Sequence, residues 1–232
     1  NRHNIQLEGG VVLVDILIST YNGEHYLAEQ IESILNQDDS DWRILVRDEC
    51  STDRTIEILA EYATRFEEDR FIILDNKGLH IGCMASFEAL IEASSSEYLM
   101  LCDQDDYWLA DKISSELSLL RRLEAKYPNM PCMVFSDLLV TDEELRPSTT
   151  LWNILGFSPT IKFNWKKNLA LNVVSGCTIA INHRARSVLL PFPSPGVAHD
   201  TWIACCIARF GVVEPLARST MLYRQHKTNL VG

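Results

Sequence analysis

Val11-Val12-Leu13-Val14-Asp15-Ile16-Leu17-Ile18-Ser19-Thr20-Tyr21-Asn22-Gly23 passes from an apolar run to a polar turn within one short stretch. The run, residues 11–19, reads as a buried strand. Residues 23–37 then place Tyr26, Leu27, Ile31, Ile34 and Leu35 on one face at helical spacing. Strand, polar turn and amphipathic helix together make one unit of an α/β layer, and the chain repeats that unit. Strands at 42–47, 71–74 and 98–102 alternate with helices at 53–66 and 84–93, giving four strands joined by three crossovers. The expected fold class is α/β: a Rossmann-like, mostly parallel sheet flanked by helices.

A long polar-faced helix at 110–126 and a strand at 132–136 follow, and then the regular beat stops. Residues 147–165 are rich in turn formers and aromatics, 173–181 reads as a further strand, and Pro191, Pro193, Pro195 and Gly196 mark a loop. Residues 200–210 return to helical spacing, with Asp200 suited to the helix N-terminus. No internal repeat and no low-complexity tract interrupts this order. The change of texture near Asp137 divides a single domain, 1–232, into an 11–136 half and an irregular 137–232 half.

Composition narrows the function classes. With 232 residues, 47% of them apolar, the chain can bury one large core. A formal net charge of -11 repels polyphosphate backbones, and no basic run offsets it locally, so nucleic acid is excluded as a partner. No apolar stretch reaches the roughly 20 residues that cross a bilayer, and the start lacks the regions of a signal peptide, so this stretch reads as soluble. It opens on Asn1 rather than a methionine and stops at Gly232, which reads as a piece of a longer protein whose membrane segments lie outside it. The cysteines are odd in number, Cys50, Cys83, Cys102, Cys132, Cys177, Cys205 and Cys206, and mostly sit in apolar segments without the close pairs of a metal site. Core packing in a reducing cytoplasm fits them best.

In open parallel sheets, ligands bind beyond the carboxyl ends of the strands. Those ends are unusually polar here: Ser19-Thr20-Tyr21-Asn22-Gly23, Asp48-Glu49-Cys50-Ser51-Thr52-Asp53 and Asp103-Gln104-Asp105-Asp106. Asn22, Ser51 or Asp53, and Asp106 also suit helix caps. Capping does not explain Asp103 and Asp105 together, because like charges at one strand end need a compensating cation or hydrogen-bond donors. A hard divalent ion, Mg²⁺ or Mn²⁺, held by carboxylates and substrate phosphates fits that arrangement.

In order and spacing these three segments resemble the motifs of family 2 glycosyltransferases of the GT-A fold. Ser175-Gly176-Cys177-Thr178, His199-Asp200-Thr201-Trp202 and Tyr223-Arg224-Gln225-His226-Lys227-Thr228-Asn229 resemble the bacterial rhamnosyltransferase branch of that family. The resemblance implies an inverting transfer of a sugar, rhamnose as first guess, from a dTDP- or UDP-linked donor. The acceptor would be a saccharide or lipid-linked saccharide in cell-surface polysaccharide synthesis, at the cytoplasmic side and in peripheral contact with the membrane. Residues 11–136 would bind the nucleotide sugar and 137–232 the acceptor.

Position by position, the resemblance implies that Thr20 and Tyr21 border the nucleobase, that Asp48 bonds near the base, and that Asp53 supports its loop. Asp103 would face the ribose and Asp105 would ligate the metal, with His226 as a further ligand from the C-terminal segment. His80 stands where the family often has asparagine. Asp200 would accept the proton of the acceptor hydroxyl, and the competing reading of that residue is a plain helix cap. Arg224 and Lys227 would neutralise phosphate charge, against a reading as solvated surface, and Trp202 would touch the acceptor. Trp152, Phe157, Phe163 and Trp165, beside Lys162, Lys166 and Lys167, suit core packing, sugar stacking or an anionic membrane surface.

Two rival classes share parts of this pattern. A sugar nucleotidyltransferase would open with a glycine-rich basic phosphate loop, where this chain has Thr20-Tyr21-Asn22-Gly23. A non-catalytic nucleotide-sugar-binding module would need neither Asp200 nor the segment 224–229.

Overall fold

The computed structural model describes residues 13–66, 69–160, 163–193, 197–227 and 229. Val11, Lys162, Pro195, Gly196 and Thr228, used in the sequence reading, lie outside these. The elements run β1 (Val14–Thr20), α1 (Leu27–Leu35), β2 (Trp42–Asp48), α2 (Thr55–Ala63), β3 (Phe71–Ile73), α3 (Cys83–Ala93), β4 (Tyr98–Cys102), β5 (Tyr107–Trp108), α4 (Lys112–Lys126) and β6 (Cys132–Thr141). They continue with β7 (Pro147–Thr150), α5 (Leu151–Leu155), α6 (Trp165–Ala170), β8 (Ile179–Asn182), α7 (Arg186–Leu189), α8 (His199–Phe210) and β9 (Val212–Arg224).

One sheet carries the strands in the order β3-β2-β1-β4-β8-β6-β9-β5, with β7 hydrogen-bonded to β6. The first four are parallel, as their apolar runs and crossovers require. Beyond β4 the sheet is mixed: β8 runs antiparallel to both β4 and β6 and β9 runs parallel to β6, so that β1, β2, β3, β4, β6 and β9 share one direction, as the expected mostly parallel sheet requires.

Alternation along β1 sorts its side chains to two faces. Ile16 and Ile18 join a core with Leu27, Ile31 and Ile34 of α1, Leu59 of α2 and Leu117 of α4. Leu17 joins a second core with Phe87 and Leu90 of α3, Leu189 of α7, and Ile203 and Ile207 of α8. Each such side chain, fully buried, contributes about 1.5–3 kcal/mol. Since α1 and α2 cover one face and α3 the other, the chain changes face after β3, and the strand order reverses between β1 and β4. A crevice opens at such a point, beyond the strand ends.

Asp15, an acid inside the first strand, is held by a bidentate bond from Arg43 on β2 (2.8 and 2.9 Å) and by the Ser94 hydroxyl (2.6 Å). A fully buried Lys112–Glu116 pair (2.6 Å) similarly fastens α4 to Thr220 of β9 (3.1 Å). Both networks fix strands whose far ends form the crevice.

Three expectations of local structure are corrected. The strand read at 173–181 shortens to Ile179–Asn182, because residues Gly176–Thr178 wind into a 3-10 turn. From the sequence alone the polar segment of His226 reads as following a short strand, and that strand is the thirteen-residue β9. Asn22 and Asp106 cap no helix: α1 starts at Leu27, and α4 starts at Lys112, after β5.

Candidate active site

The turn after β1 forms one wall of the crevice. Thr20 is buried and donates to Asp48 Oδ1 (2.8 Å), and Ser51 donates its hydroxyl to the same oxygen (2.6 Å) and its N–H to Oδ2 (2.8 Å). Asp48 therefore ties the ends of β1 and β2 together. Tyr21 is half exposed. Its backbone is bracketed by the Gln104 carboxamide, which accepts from Tyr21 N (2.9 Å) and donates to Tyr21 O (3.0 Å). Asp53 accepts from the Thr55 hydroxyl and N–H (2.5 and 3.0 Å) and from Glu24 N (3.0 Å). Burial pushes its carboxyl up, but these bonds outweigh burial and hold it below the usual range.

The acids after β4 divide by environment. Asp106 is fully buried, accepts from Arg224 N (3.1 Å) through one oxygen and has no hydrogen-bond partner among the described residues for the other. Burial, then the charges of Asp103 and Asp105, push its carboxyl well up. Asp103 is pushed up to about 7 by burial and by the charges of Asp105 and Asp200, a bond from Cys177 opposing. The shift reports a common neighbourhood: Asp105 and Asp200, from opposite halves of the chain, both act on Asp103.

Asp105 faces His226, with Nε2 at 3.0 Å from Oδ2. Two cis ligands of an ion bound at about 2.0–2.1 Å would stand about 3 Å apart, so the imidazole and carboxylate fit one hard divalent ion. Asp103, Asp106 and Cys177 also bring ligand atoms within 4.8 Å of one another. Burial raises the Cys177 thiol well above its ordinary value, and a protonated thiol is a poor ligand for Mg²⁺ or Mn²⁺. The Asp105–His226 pair is the better match.

Asp200 lies in the first turn of α8, half buried, with Ala198 in the capping position. Its Oδ2 accepts from Asn172 Nδ2 (2.9 Å), and Oδ1 takes the N–H and hydroxyl of Thr201. Beside it His199 stacks on Phe87 (centroids 4.4 Å apart) with Nδ1 3.8 Å from Cys83 Sγ. Burial pushes this imidazole toward its neutral form, Asp200 partly opposing. Any side chain at position 176 would meet the His199 ring, which accounts for Gly176.

A polar crevice at a strand-order reversal, with a carboxylate–imidazole pair and a separate anchored carboxylate, is thus on hand. The family model for glycosyl transferase family 2 matches residues 15–183, most of the chain. The chain belongs to glycosyl transferase family 2. It is 27% identical over 242 residues to the dTDP-rhamnosyl transferase RfbG of Shigella flexneri, covering 93% of this chain and 73% of RfbG. It is 30% identical over 191 residues to the UDP-Glc:alpha-D-GlcNAc-diphosphoundecaprenol beta-1,3-glucosyltransferase WfgD of Escherichia coli, covering 82% of this chain and 67% of WfgD. TarS of S. aureus, solved with UDP-GlcNAc, shares the fold at a TM-score of 0.73 and 14% identity, over 94% of this chain and 60% of that one. So does the mannosyltransferase PcManGT of Pyrobaculum calidifontis, solved with GDP-Man and Mn²⁺, at 0.68 and 15%, over 93% and 58%. The chain spans as little as 38% of other curated relatives. Its fold is that of the GT-A glycosyltransferases.

Within this family 2 framework two residues with expected contacts find partners inside the protein. Arg224 does not reach for phosphate: it is buried, donates to the carbonyls of Asp105 (2.9 Å) and Glu143, pairs with Glu29, and lies 4.6 Å from the Tyr26 ring centroid. Its charge holds the end of β9, and so His226, against the Asp105 turn. Trp202 spends its indole N–H on the Leu189 carbonyl (3.1 Å) and packs, partly buried, near Phe192 against the second core. Lys227 stays exposed next to His226.

Sequence reasoning missed Gln104, Asn172 and His199. Gln104 stood inside a quoted acidic motif, and the signal for it was Gly23, where a Cβ would lie 2.5 Å from Gln104 Oε1. Asn172 had no signal, because its partner is 28 residues away across an irregular segment.

Proposed function

We propose that this protein transfers a sugar from a nucleoside diphosphate donor to a saccharide or lipid-linked saccharide hydroxyl in a single displacement that inverts the anomeric centre. The observation that carries this reading is the pairing of His226 Nε2 with Asp105 Oδ2 at 3.0 Å beyond the end of β4, a carboxylate–imidazole pair suited to a hard divalent ion on a diphosphate. In the reading, Tyr21 borders the base, Asp103 faces the ribose, and Asp105 with His226 holds Mg²⁺ or Mn²⁺. Such an ion supplies positive charge to the diphosphate as the leaving group departs. Lys227, exposed and next to His226 in the chain, adds to that charge in this reading.

Asp200 receives the proton of the attacking hydroxyl. Asn172 and Thr201 fix the direction of its carboxylate, so the bond to the anomeric carbon forms as the bond to the diphosphate breaks. The likeness to RfbG, a dTDP-rhamnosyl transferase, supports a dTDP-rhamnose donor, while WfgD and TarS support a UDP-linked one.

Exposed Leu169 and Leu171, beside exposed Lys166 and Lys167, support an acceptor presented at an anionic membrane surface. No helix among the described residues is long and apolar enough to cross a membrane. All seven cysteines are free thiols, in keeping with a reducing, cytoplasmic compartment.

The test is a panel of dTDP-, UDP- and GDP-linked sugars with Mn²⁺ and saccharide and polyprenyl-linked acceptors, read by release of nucleoside diphosphate and by mass and anomeric configuration of the product. Acceptor-dependent release with an inverted linkage is the expected outcome. Donors that bind but never transfer would favour a non-catalytic module, and release of pyrophosphate would favour nucleotidyl transfer.

A further inference from the structure

At helical spacing Tyr26 shares a stripe with Leu27, Ile31 and Ile34. The structure separates it from them. Leu27, Ile31 and Ile34 are fully buried in the first core, whereas Tyr26 is half-buried and belongs to neither core among the described residues. Its ring lies 4.7 Å from the His226 imidazole, centroid to centroid, at an interplanar angle of 37°. The Arg224 guanidinium carbon stands 4.6 Å from the same ring centroid.

Both sides of this contact are built. Gln225 N donates to Thr141 O (3.0 Å), so the ladder to β6 continues one step past β9, and side chains two apart in an extended chain fall on one side. Arg224 and His226 therefore meet the same ring. His226 N donates to Asn229 Oδ1 (2.8 Å) and Asn229 Nδ2 donates to Arg224 O (2.8 Å), which closes this segment on itself. On the other side, Tyr26 precedes α1, its N–H donates to Gly23 O (3.2 Å), and its carbonyl accepts from Gln30 N (3.0 Å). The turn below it is tied down through Gly23 N to Thr55 Oγ1 (2.7 Å) and Glu24 N to Asp53 Oδ2 (3.0 Å). The contact between His226 Nε2 and Asp105 Oδ2 fixes one atom of the imidazole, and packing on a fixed ring sets its plane. An imidazole that gives its lone pair to a cation is electron-poor, which the negative face of an aromatic ring favours.

We infer that Tyr26 is a positioning residue for the divalent ion, its ring setting the plane of the His226 imidazole so that Nε2 faces the ion beside Asp105. Tyr26 acts through His226 and ligates nothing itself. The inference rests on the Asp105–His226 metal reading and adds to it the side chain that orients the second ligand.

The test measures UDP binding by calorimetry in Mn²⁺ and again in EDTA, for the unaltered protein, Tyr26→Phe, Tyr26→Leu, Tyr26→Met and His226→Ala. The ratio of the two dissociation constants reads what the ion contributes. Tyr26→Leu and Tyr26→Met, which remove the ring and keep an apolar side chain, are expected to lower that ratio by about fivefold, the scale of an aromatic pair behind a metal ligand. Tyr26→Phe, which keeps the ring, should hold the ratio within about twofold of the parent's, and all three should bind UDP in EDTA as the parent does. A tyrosine that only supports the fold would weaken binding equally in EDTA and in Mn²⁺. That equal loss, or a parental ratio in the variants without the ring, overturns the inference and leaves His226 as a ligand. A parental ratio in His226→Ala overturns the metal reading and the inference together.

Discussion

His226 Nε2 stands 3.0 Å from Asp105 Oδ2 although 121 residues separate them in the chain. What joins them is Arg224, whose side chain donates to the Asp105 carbonyl and whose own N–H is accepted by Asp106. A metal held by this pair would couple nucleotide binding to both residues. Asp105→Asn and His226→Ala should each weaken Mn²⁺-supported binding of UDP or dTDP, by about tenfold or more, and should make the remaining affinity insensitive to EDTA. Calorimetry with and without the chelator measures this. Either variant binding nucleotide with the parent's affinity and the parent's response to EDTA would place the ion elsewhere.

Gly23 illustrates a constraint of a different kind, since its backbone is ordinary and the space beside it is not. A methyl group there would sit 2.5 Å from Gln104 Oε1, so Gly23→Ala should push the carboxamide away and free the backbone of Tyr21. The displaced group is the end of a flexible side chain, which limits the loss of stability to about 1–2 kcal/mol. Nucleotide binding should weaken with it. Gln104→Ala alone should reproduce the binding defect, and the double variant should be no worse than Gln104→Ala, because both changes break one contact. Thermal unfolding and nucleotide titration of the three variants decide it. Additive losses would show that Gly23 serves some other contact.

The first half of the fold was legible because β1, β2 and β4 are short apolar-rich runs buried on both faces and their helices carry the complementary stripe, so local pattern and tertiary role agree. β9 was not legible as a long strand. It contains Pro215, its burial follows no simple alternation, and its pairing with β6 slips twice near Asp137. A strand that bends across irregular register has no period to detect. The same limit applies to the site. Acids at strand ends could be read from position, whereas Asn172 beside Asp200, the burial of Arg224, and the bond from the Trp202 indole to Leu189 depend on how the second half packs.

Asp200 allows the sharpest discrimination, because the structure has already weakened one of its two readings. Helix α8 begins at His199 with Ala198 in the capping position, so Asp200 is not the cap, and its carboxylate is held by Asn172 and Thr201 instead. Asp200→Asn keeps the shape and one accepting oxygen and removes the proton acceptor. Thermal stability and donor affinity should stay near those of the parent, while turnover at saturating donor and acceptor should fall by about a hundredfold or more. Asn172→Ala leaves the carboxylate in place with one anchor gone, so it should lower turnover less than Asp200→Asn does. Near-parental turnover by a folded Asp200→Asn protein would remove Asp200 from the chemistry and leave the donor-binding half of the crevice as the supported part of the reading.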